Sequence, residues 1–433
     1  MKTNFSIPSI RQGLSGVLFS TGILLWGVSA AGAQTAKPWT LADDVANGYQ
    51  WTMCTDPAGR LFVAGDVWDG VRLRGCITRS DNQGSTWTTT VHDDLESYQG
   101  IAAATIQVPA TSTASAVTED QLVVSGSFKG HWITRRSLDA GVTWEIVDDF
   151  LHPSPSLYMP YVTGVSIDSA GNCYVVGSHY KKVDGITSSV GYWLIRKIAR
   201  GATLAGEAGK TTIDLFDTAV GNRSHPNGVV CVGTDVFVAG KTADRWQVRR
   251  NTGGASTWTV VDDFRVDPAN ISEAFGITAD PAGNVYVAGL GDKKVTTVVS
   301  KKVTTFITNF WIVRKGSGMG TGTFNTVDQF QLQKDYGAKA FGISADSAGG
   351  IHVTGFARAV VGRAVESHWV TRRYTPTTGW ATTDNFAPFN VGVASGWNIA
   401  ADPFGNVFAA GTQGTDAAGE HKWVVRRQLA PAP

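Results

Sequence analysis

The chain has 433 residues, among them 50 glycines and 15 tryptophans, with 17% charged residues and a formal net charge of +1. Near-neutrality excludes a general electrostatic attraction to nucleic acid. The glycine and aromatic content suits short β-strands joined by tight turns, although a chain of this length would ordinarily divide into two or three domains.

Residues 1–33 have the form of an export signal. Lys2 and Arg11 supply a positive start, Leu14 to Ala31 is an apolar run broken by glycine and serine, and Ala31-Gly32-Ala33 is a small-residue cleavage site. The mature chain, 34–433, is expected to begin at Gln34 and to lie in the periplasm or outside the cell. The alternative is an uncleaved membrane anchor, and no later segment resembles a membrane span.

The first mature segment, "PWTLADDV" (Pro38 to Val45), reads as a strand without a repeat of its own. Then "WTMCTDPAGRLFVAG" (Trp51 to Gly65) opens an echo that returns from Thr163 to Gly177, Phe275 to Gly289, Phe341 to Gly355 and Trp397 to Gly411. Weaker copies end at Gly126 and Gly240, so the seven terminal glycines stand 49 to 66 residues apart. That period belongs to propeller blades or solenoids.

Each repeat holds four strand signals. A small-residue strand precedes a turn such as Asp280-Pro281-Ala282-Gly283-Asn284, in which proline presets φ and glycine accepts a positive φ. The second strand alternates, as in Val285-Tyr286-Val287-Ala288. The third carries WxxRR, as at Trp132, Trp246, Trp369 and Trp423, or WxxRK, as at Trp193 and Trp311, with Cys76 in place of tryptophan in the first repeat. The fourth runs from an aromatic to an aspartate, as from Thr257 to Phe264. The last repeat stops after its third strand, so the N-terminal strand should complete it. The reading is an all-β fold, a seven-bladed β-propeller closed by that strand, with an open solenoid as the alternative that leaves the split repeat unexplained.

Between third and fourth strands, "SLDAGVTW" (Ser137 to Trp144) matches SxDxGxTW, and "SDNQGSTW" (Ser80 to Trp87) matches it with asparagine for aspartate. With these turns the chain resembles the Asp-box (BNR) propellers, a group that includes sialidases, and its "GNVYVAG" strands resemble the secreted bacterial β-propeller repeat. Both motifs build blades and carry little catalytic information. The chain departs from the sialidase pattern in blade count and lacks that family's early FRIP-type arginine segment, so none of its catalytic roles transfers.

Arg79, Arg135, Arg196, Arg249, Arg314, Arg372 and Arg426 recur in the third strands, and Asp43, Asp93, Asp148, Asp214, Asp262, Asp328 and Asp384 in the fourth. They are expected to pair across the ladder of one blade, and the repeated tryptophans to pack between blades. Cys54, Cys76, Cys173 and Cys231 fall on strands too far apart to bridge and are expected to be free.

Function is sought where the repeat breaks. The loops from second to third strand and the links between blades share one face, and their lengths vary, with Ser178 to Tyr192 and Leu290 to Phe310 expected as long loops. On that face the position three before the first-strand glycine gives Tyr49, Ser97, Tyr161, His225, Glu273, Lys339 and Ser395, a polar ring around the channel mouth. His225 beside Glu273 suits proton transfer, and Tyr161 could hold a sugar hydroxyl. His152, Tyr158, His179, Tyr180, Lys181, Lys182 and Arg223, with Lys293, Lys294, Lys301 and Lys302, make a basic and aromatic sector over blades three to five. It suits an acidic polysaccharide or an envelope protein; the plainer reading is that these lysines solubilise long loops.

No metal-ligand spacing, cofactor motif or nucleophile motif is present in the sequence. The expectation is a monomeric, exported, non-catalytic propeller that binds a glycan, a cell-envelope polymer or a protein through its variable face. The alternative is a carbohydrate-active enzyme, either an acidic-polysaccharide lyase or a sialidase-like glycoside hydrolase, working with His225, Glu273 and Tyr161.

Overall fold

The computed structural model describes residues 38–45, 48–92, 95–109, 115–151, 157–181, 190–216, 224–252, 257–299, 302–317, 322–387, 394–415 and 421–430. Seven four-stranded antiparallel sheets form the blades of a propeller. Six blades take their strands in chain order, and the seventh is split: Ser395–Ala401, Val407–Thr415 and His421–Gln428 are joined at the outer edge by Thr40–Val45. Closure by the N-terminal strand thus follows the reading of the split repeat.

The turns are built as their residues dictate. In blade five Asp280 Oδ1 accepts the backbone N–H groups of Ala282 and Asn284, Oδ2 accepts the Asn284 amide, and Gly283 takes φ +78°. Between third and fourth strands, Asp139 Oδ1 accepts the N–H groups of Val142 and Thr143 while Ser137 Oγ accepts that of Gly141. In blade one Asn82 Oδ1 accepts the N–H of Thr86 and Ser80 Oγ that of Gly84, so the asparagine amide oxygen serves where the aspartate does.

One device sets the inner strands. Every first strand has a bulge at the same place, between Gln50 and Thr52, Tyr98 and Gly100, Val162 and Gly164, Pro226 and Gly228, Ala274 and Gly276, Ala340 and Gly342, and Gly396 and Asn398. A bulge leaves one residue without a ladder partner and turns the strand. It also drives a carbonyl towards the second strand. A Cβ added to Gly65, Gly126, Gly177, Gly240, Gly289, Gly355 or Gly411 would stand only 1.8 to 2.2 Å from that carbonyl oxygen, the tightest at Gly65 and the widest at Gly240. The seven terminal glycines of the repeat are therefore a consequence of the seven bulges.

The repeated tryptophans are buried between blades. Trp246 of blade four packs with Ala274, Val285 and Val287 of blade five, and Trp311 of blade five with Ala340 and Val353 of blade six. Blade one, which has Cys76 instead, fills the space differently: Tyr98 is fully buried, its hydroxyl lying 2.7 Å from His92 Nδ1 and accepting Arg135 Nε at 2.8 Å. The four cysteines are free, and burial pushes the thiols of Cys76 and Cys231 up to about 12.

The arginine–aspartate pairs differ from the expectation of pairing within a blade. Arg314 of blade five binds Asp262 of blade four with two bonds of 2.7 Å, and Arg372 binds Asp328 and Arg426 binds Asp384 in the same way. Arg196 with Asp148 and Arg249 with Asp214 complete five inter-blade clasps. The register explains the change. Asp328 stands opposite Val313 and Arg314 opposite Thr326, with a bulge between Val313 and Arg314, so the two charges of one blade are not cross-strand partners. Each guanidinium also lies over the phenylalanine that ends the neighbouring blade's fourth strand, Arg314 at 4.0 Å from the Phe264 ring centroid. The side chains of Asp43 and Asp93 lie outside the described residues.

Two expected loops are also corrected. Leu290 to Phe310 is not a loop: Val285–Val299 and Lys302–Gly316 pair throughout as one long hairpin, rich in valine and threonine that favour a pleated surface. In blade three the strands run on to Lys181 and resume at Val190. A further arm in blade six, Ile351–Val361 with Ala364–Thr375, was not expected, nor was the long hairpin of blade two on the opposite face, Ser97–Val108 with Val117–Phe128.

Candidate functional site

The first strands of all seven blades surround a central channel of about 630 Å³, a size typical of small-ligand sites. At its mouth on the variable face the bulges place Trp51, Gln99, Thr163, Asn227, Phe275, Phe341 and Trp397, one from each blade, and all seven line the channel. The seven do not repeat. Blades five, six, seven and one contribute an unbroken aromatic arc, and blades two, three and four contribute two amides and a hydroxyl.

The aromatic arc is one packed surface. Phe341 stacks on Trp397 with centroids 4.5 Å apart and meets Phe275 at 5.1 Å. Trp423 lies 6.5 Å from Trp397 and 5.7 Å from Trp51, and Tyr49 stacks on Trp51 at 5.6 Å. Two members remain well exposed, Trp51 at 44% and Trp397 at 40%. Trp51 is held from behind, because its indole N–H donates to Asp66 Oδ2 at 2.7 Å and Ser97 Oγ donates to the same oxygen at 2.8 Å. Burial raises the Asp66 carboxyl, and these two donors offset part of that shift.

Across the mouth lies a charged cluster. His225 Nε2 is 2.7 Å from Glu273 Oε1, Lys241 Nζ is 3.4 Å from Glu273 Oε2, and Asn227 donates its amide to Glu273 Oε1 at 3.1 Å and to the Ala274 carbonyl at 2.7 Å. Burial alone would raise the Glu273 carboxyl; the His225 hydrogen bond and the charges of His225 and Lys241 outweigh it and lower it to about 2. A depressed carboxyl contributes stability that is complete above its unfolded value, here about 4.5, and lost as pH falls towards 2. Glu273→Gln should therefore unfold earlier than the parent at about pH 7, with the gap narrowing below about pH 4.5 and closing only towards pH 2. Thermal unfolding across that range checks it, and a gap independent of pH would refute the assignment.

The sequence-derived ring is thus placed as follows. Tyr49, Ser97, Tyr161, His225, Glu273, Lys339 and Ser395 occupy equivalent first-strand positions, two residues above the channel-lining ones. The structure brings His225 and Glu273 into contact, Tyr49 into the aromatic arc and Ser97 onto Asp66. Tyr161, the blade-three member, is half exposed, and Lys339 stands in blade six on the strand that carries Phe341. The side chains of Tyr158, His179, Tyr180 and Lys181 lie outside the described residues, as do His152, Lys182, Arg223 and Lys301 altogether. Lys293 and Lys294 lie on the blade-five hairpin opposite Thr308 and Ile307. Among the described residues no group of three or more histidine, cysteine, aspartate or glutamate side chains is placed to hold a metal ion.

Missed by sequence reasoning were Asp66, Lys241, Asn227 and the aromatic arc. A signal for the arc existed, since the echo itself begins on Trp51, Phe275, Phe341 and Trp397. Only the bulge turns that column into the channel.

No protein-family model and no curated protein matches the chain. Solved structures do resemble it. A fungal alcohol oxidase of the AA5 family, in complex with copper, aligns over 92% of this chain and 77% of its own at 13% identity and TM-score 0.50. The GH74 xyloglucanase from Xanthomonas campestris aligns over 89% and 55% at 12% identity and TM-score 0.51, and the α-L-arabinofuranosidase Arb93A from Fusarium graminearum over 92% and 98% at 10% and 0.43. The first two likenesses agree with the propeller fold.

Proposed function

We propose that this protein is an exported, non-catalytic propeller of the Asp-box type that binds a glycan at the channel mouth on its variable face. The observation that carries this reading is the division of the mouth into an exposed aromatic arc and a facing arc of amide and hydroxyl groups. A pyranose ring has the same division, with C–H groups over its faces and hydroxyls around its edge, so aromatic stacking and hydrogen bonding are satisfied together. The signal-like residues 1–33 support export.

The test is binding of the chain from Gln34 onward to a glycan array, followed by titration of the best ligand. Trp51→Ala and Trp397→Ala should each weaken binding about ten-fold, the loss of about 1.4 kcal/mol expected for one stacking contact. Parent-like affinity in both variants would remove the mouth from the reading.

A second reading, a carbohydrate-active enzyme, is favoured by the His225–Glu273 contact, because a histidine oriented by a carboxylate can move a proton. It requires turnover of a polysaccharide that His225→Ala and Glu273→Ala abolish. Binding without product release places the protein in the first class.

A further inference from the structure

We infer that the mouth selects an uncharged sugar unit over a uronate or other carboxylated one; this rests on the glycan-binding reading above. Two features set this preference: the hydrogen-bonding polarity of the three non-aromatic positions and the charges behind them.

Asn227 spends both amide protons, on Glu273 Oε1 and on the Ala274 carbonyl. Turning the amide over would set its oxygen against two acceptors, so the orientation is fixed and Oδ1 is the atom left for a ligand. Thr163 Oγ1 donates its proton to the Pro226 carbonyl at 2.8 Å, which leaves its lone pairs. Two of the three polar positions therefore present acceptors. A sugar hydroxyl can donate to an acceptor; a carboxylate, which only accepts, cannot. Gln99, whose Oε1 takes a long 3.5 Å bond from Ser127 Oγ, supplies the complementary donor through its Nε2.

The cations behind the arc do not reverse this preference. His225 and Lys241 both engage Glu273, one on each oxygen, so both are already held by a carboxylate rather than left for a ligand. Lys339 is a further cation of the ring, and the rim carries two carboxyls, Glu273 and Asp66. Below the bulge Ile101, Val165, Ile277, Ile343 and Ile399 line much of the channel, an apolar stretch that solvates a carboxylate poorly.

The experiment compares matched tetrasaccharides, uncharged glucan, mannan and galactan fragments against oligogalacturonate, by tryptophan fluorescence and saturation-transfer NMR on the chain from Gln34. At least one uncharged fragment should bind, with affinity changing less than about two-fold between about 50 mM and 500 mM NaCl, as expected without net ion pairing. Thr163→Val should weaken it about five-fold and Thr163→Ser should restore it, the loss and return of one neutral hydrogen bond. A preference for oligogalacturonate that falls steeply with salt would overturn the inference while leaving glycan binding intact. Binding of neither class would overturn the glycan reading and this inference with it.

Discussion

Arg314→Met should destabilise the propeller by about 3–5 kcal/mol, the cost of leaving a buried charge without its partner. Arg314 and Asp262 are 8% and 6% exposed and exchange two 2.7 Å bonds across the joint between blades five and four. Their net worth when intact is smaller. Burial raises the Asp262 carboxyl despite the arginine, so much of the attraction is spent on desolvation. Removing the guanidinium leaves the desolvation and takes away the attraction, together with the stacking on Phe264 and the bonds to Thr326 Oγ1 and the Phe324 carbonyl.

Two further measurements separate this explanation from simple loss of packing. The double variant Arg314→Met with Asp262→Leu should recover most of the deficit, because an apolar pair of similar volume needs no counter-charge. The single variant should also be penalised less in mild acid. A carboxyl raised in the folded state takes up its proton on folding as pH falls, so the unpaired Asp262 is relieved first. Urea midpoints at unchanged slope give both comparisons. A deficit under about 1 kcal/mol, or one that the double variant deepens, would mean that the clasp is ornamental.

The joints also show what the sequence could and could not tell. Blade number, strand order and the split seventh blade follow from residues that recur, since the turn chemistry of Asp280 to Asn284 and the tryptophan of six of the seven third strands act locally or between neighbours. The direction of the arginines does not follow. Whether Arg314 meets Asp328 or Asp262 depends on a bulge between Val313 and Arg314, and one residue of slip sends a side chain to another face. The same holds at the mouth. Counting from the first-strand glycine found His225 and Glu273, which do meet, but it passed over Trp51, Asn227 and Trp397 because the regular pleat would not send them to the axis. Asp66 and Lys241 were hidden for a different reason: they belong to second strands, and only the pairing of Tyr49 with Asp66 and of His225 with Lys241 brings them to the rim.

Gly355→Ala should be among the most damaging single-methyl changes in the molecule, costing at least about 3 kcal/mol, above the usual range for overpacking because the obstacle is backbone. The new Cβ would lie 2.0 Å from the Lys339 carbonyl oxygen and 2.9 Å from the Trp311 ring. Neither neighbour can yield cheaply. The carbonyl belongs to the bulge that Ala340 and Gly342 define, and Trp311 is fully buried between blades five and six. Relief therefore requires the innermost strand, Ala338–Ala345, to move towards the axis or the tryptophan to leave its seat. Either shift carries Phe341 with it, so ligand binding at the mouth should fall along with stability. Gly201→Ala is the control, since a Cβ there meets nothing within 4 Å and the backbone is not in the left-handed region; it should leave both properties unchanged. Near-parental melting and binding in Gly355→Ala would show that the bulge is not what fixes glycine at the end of each second strand, and the link between the repeat and the channel mouth would fail with it.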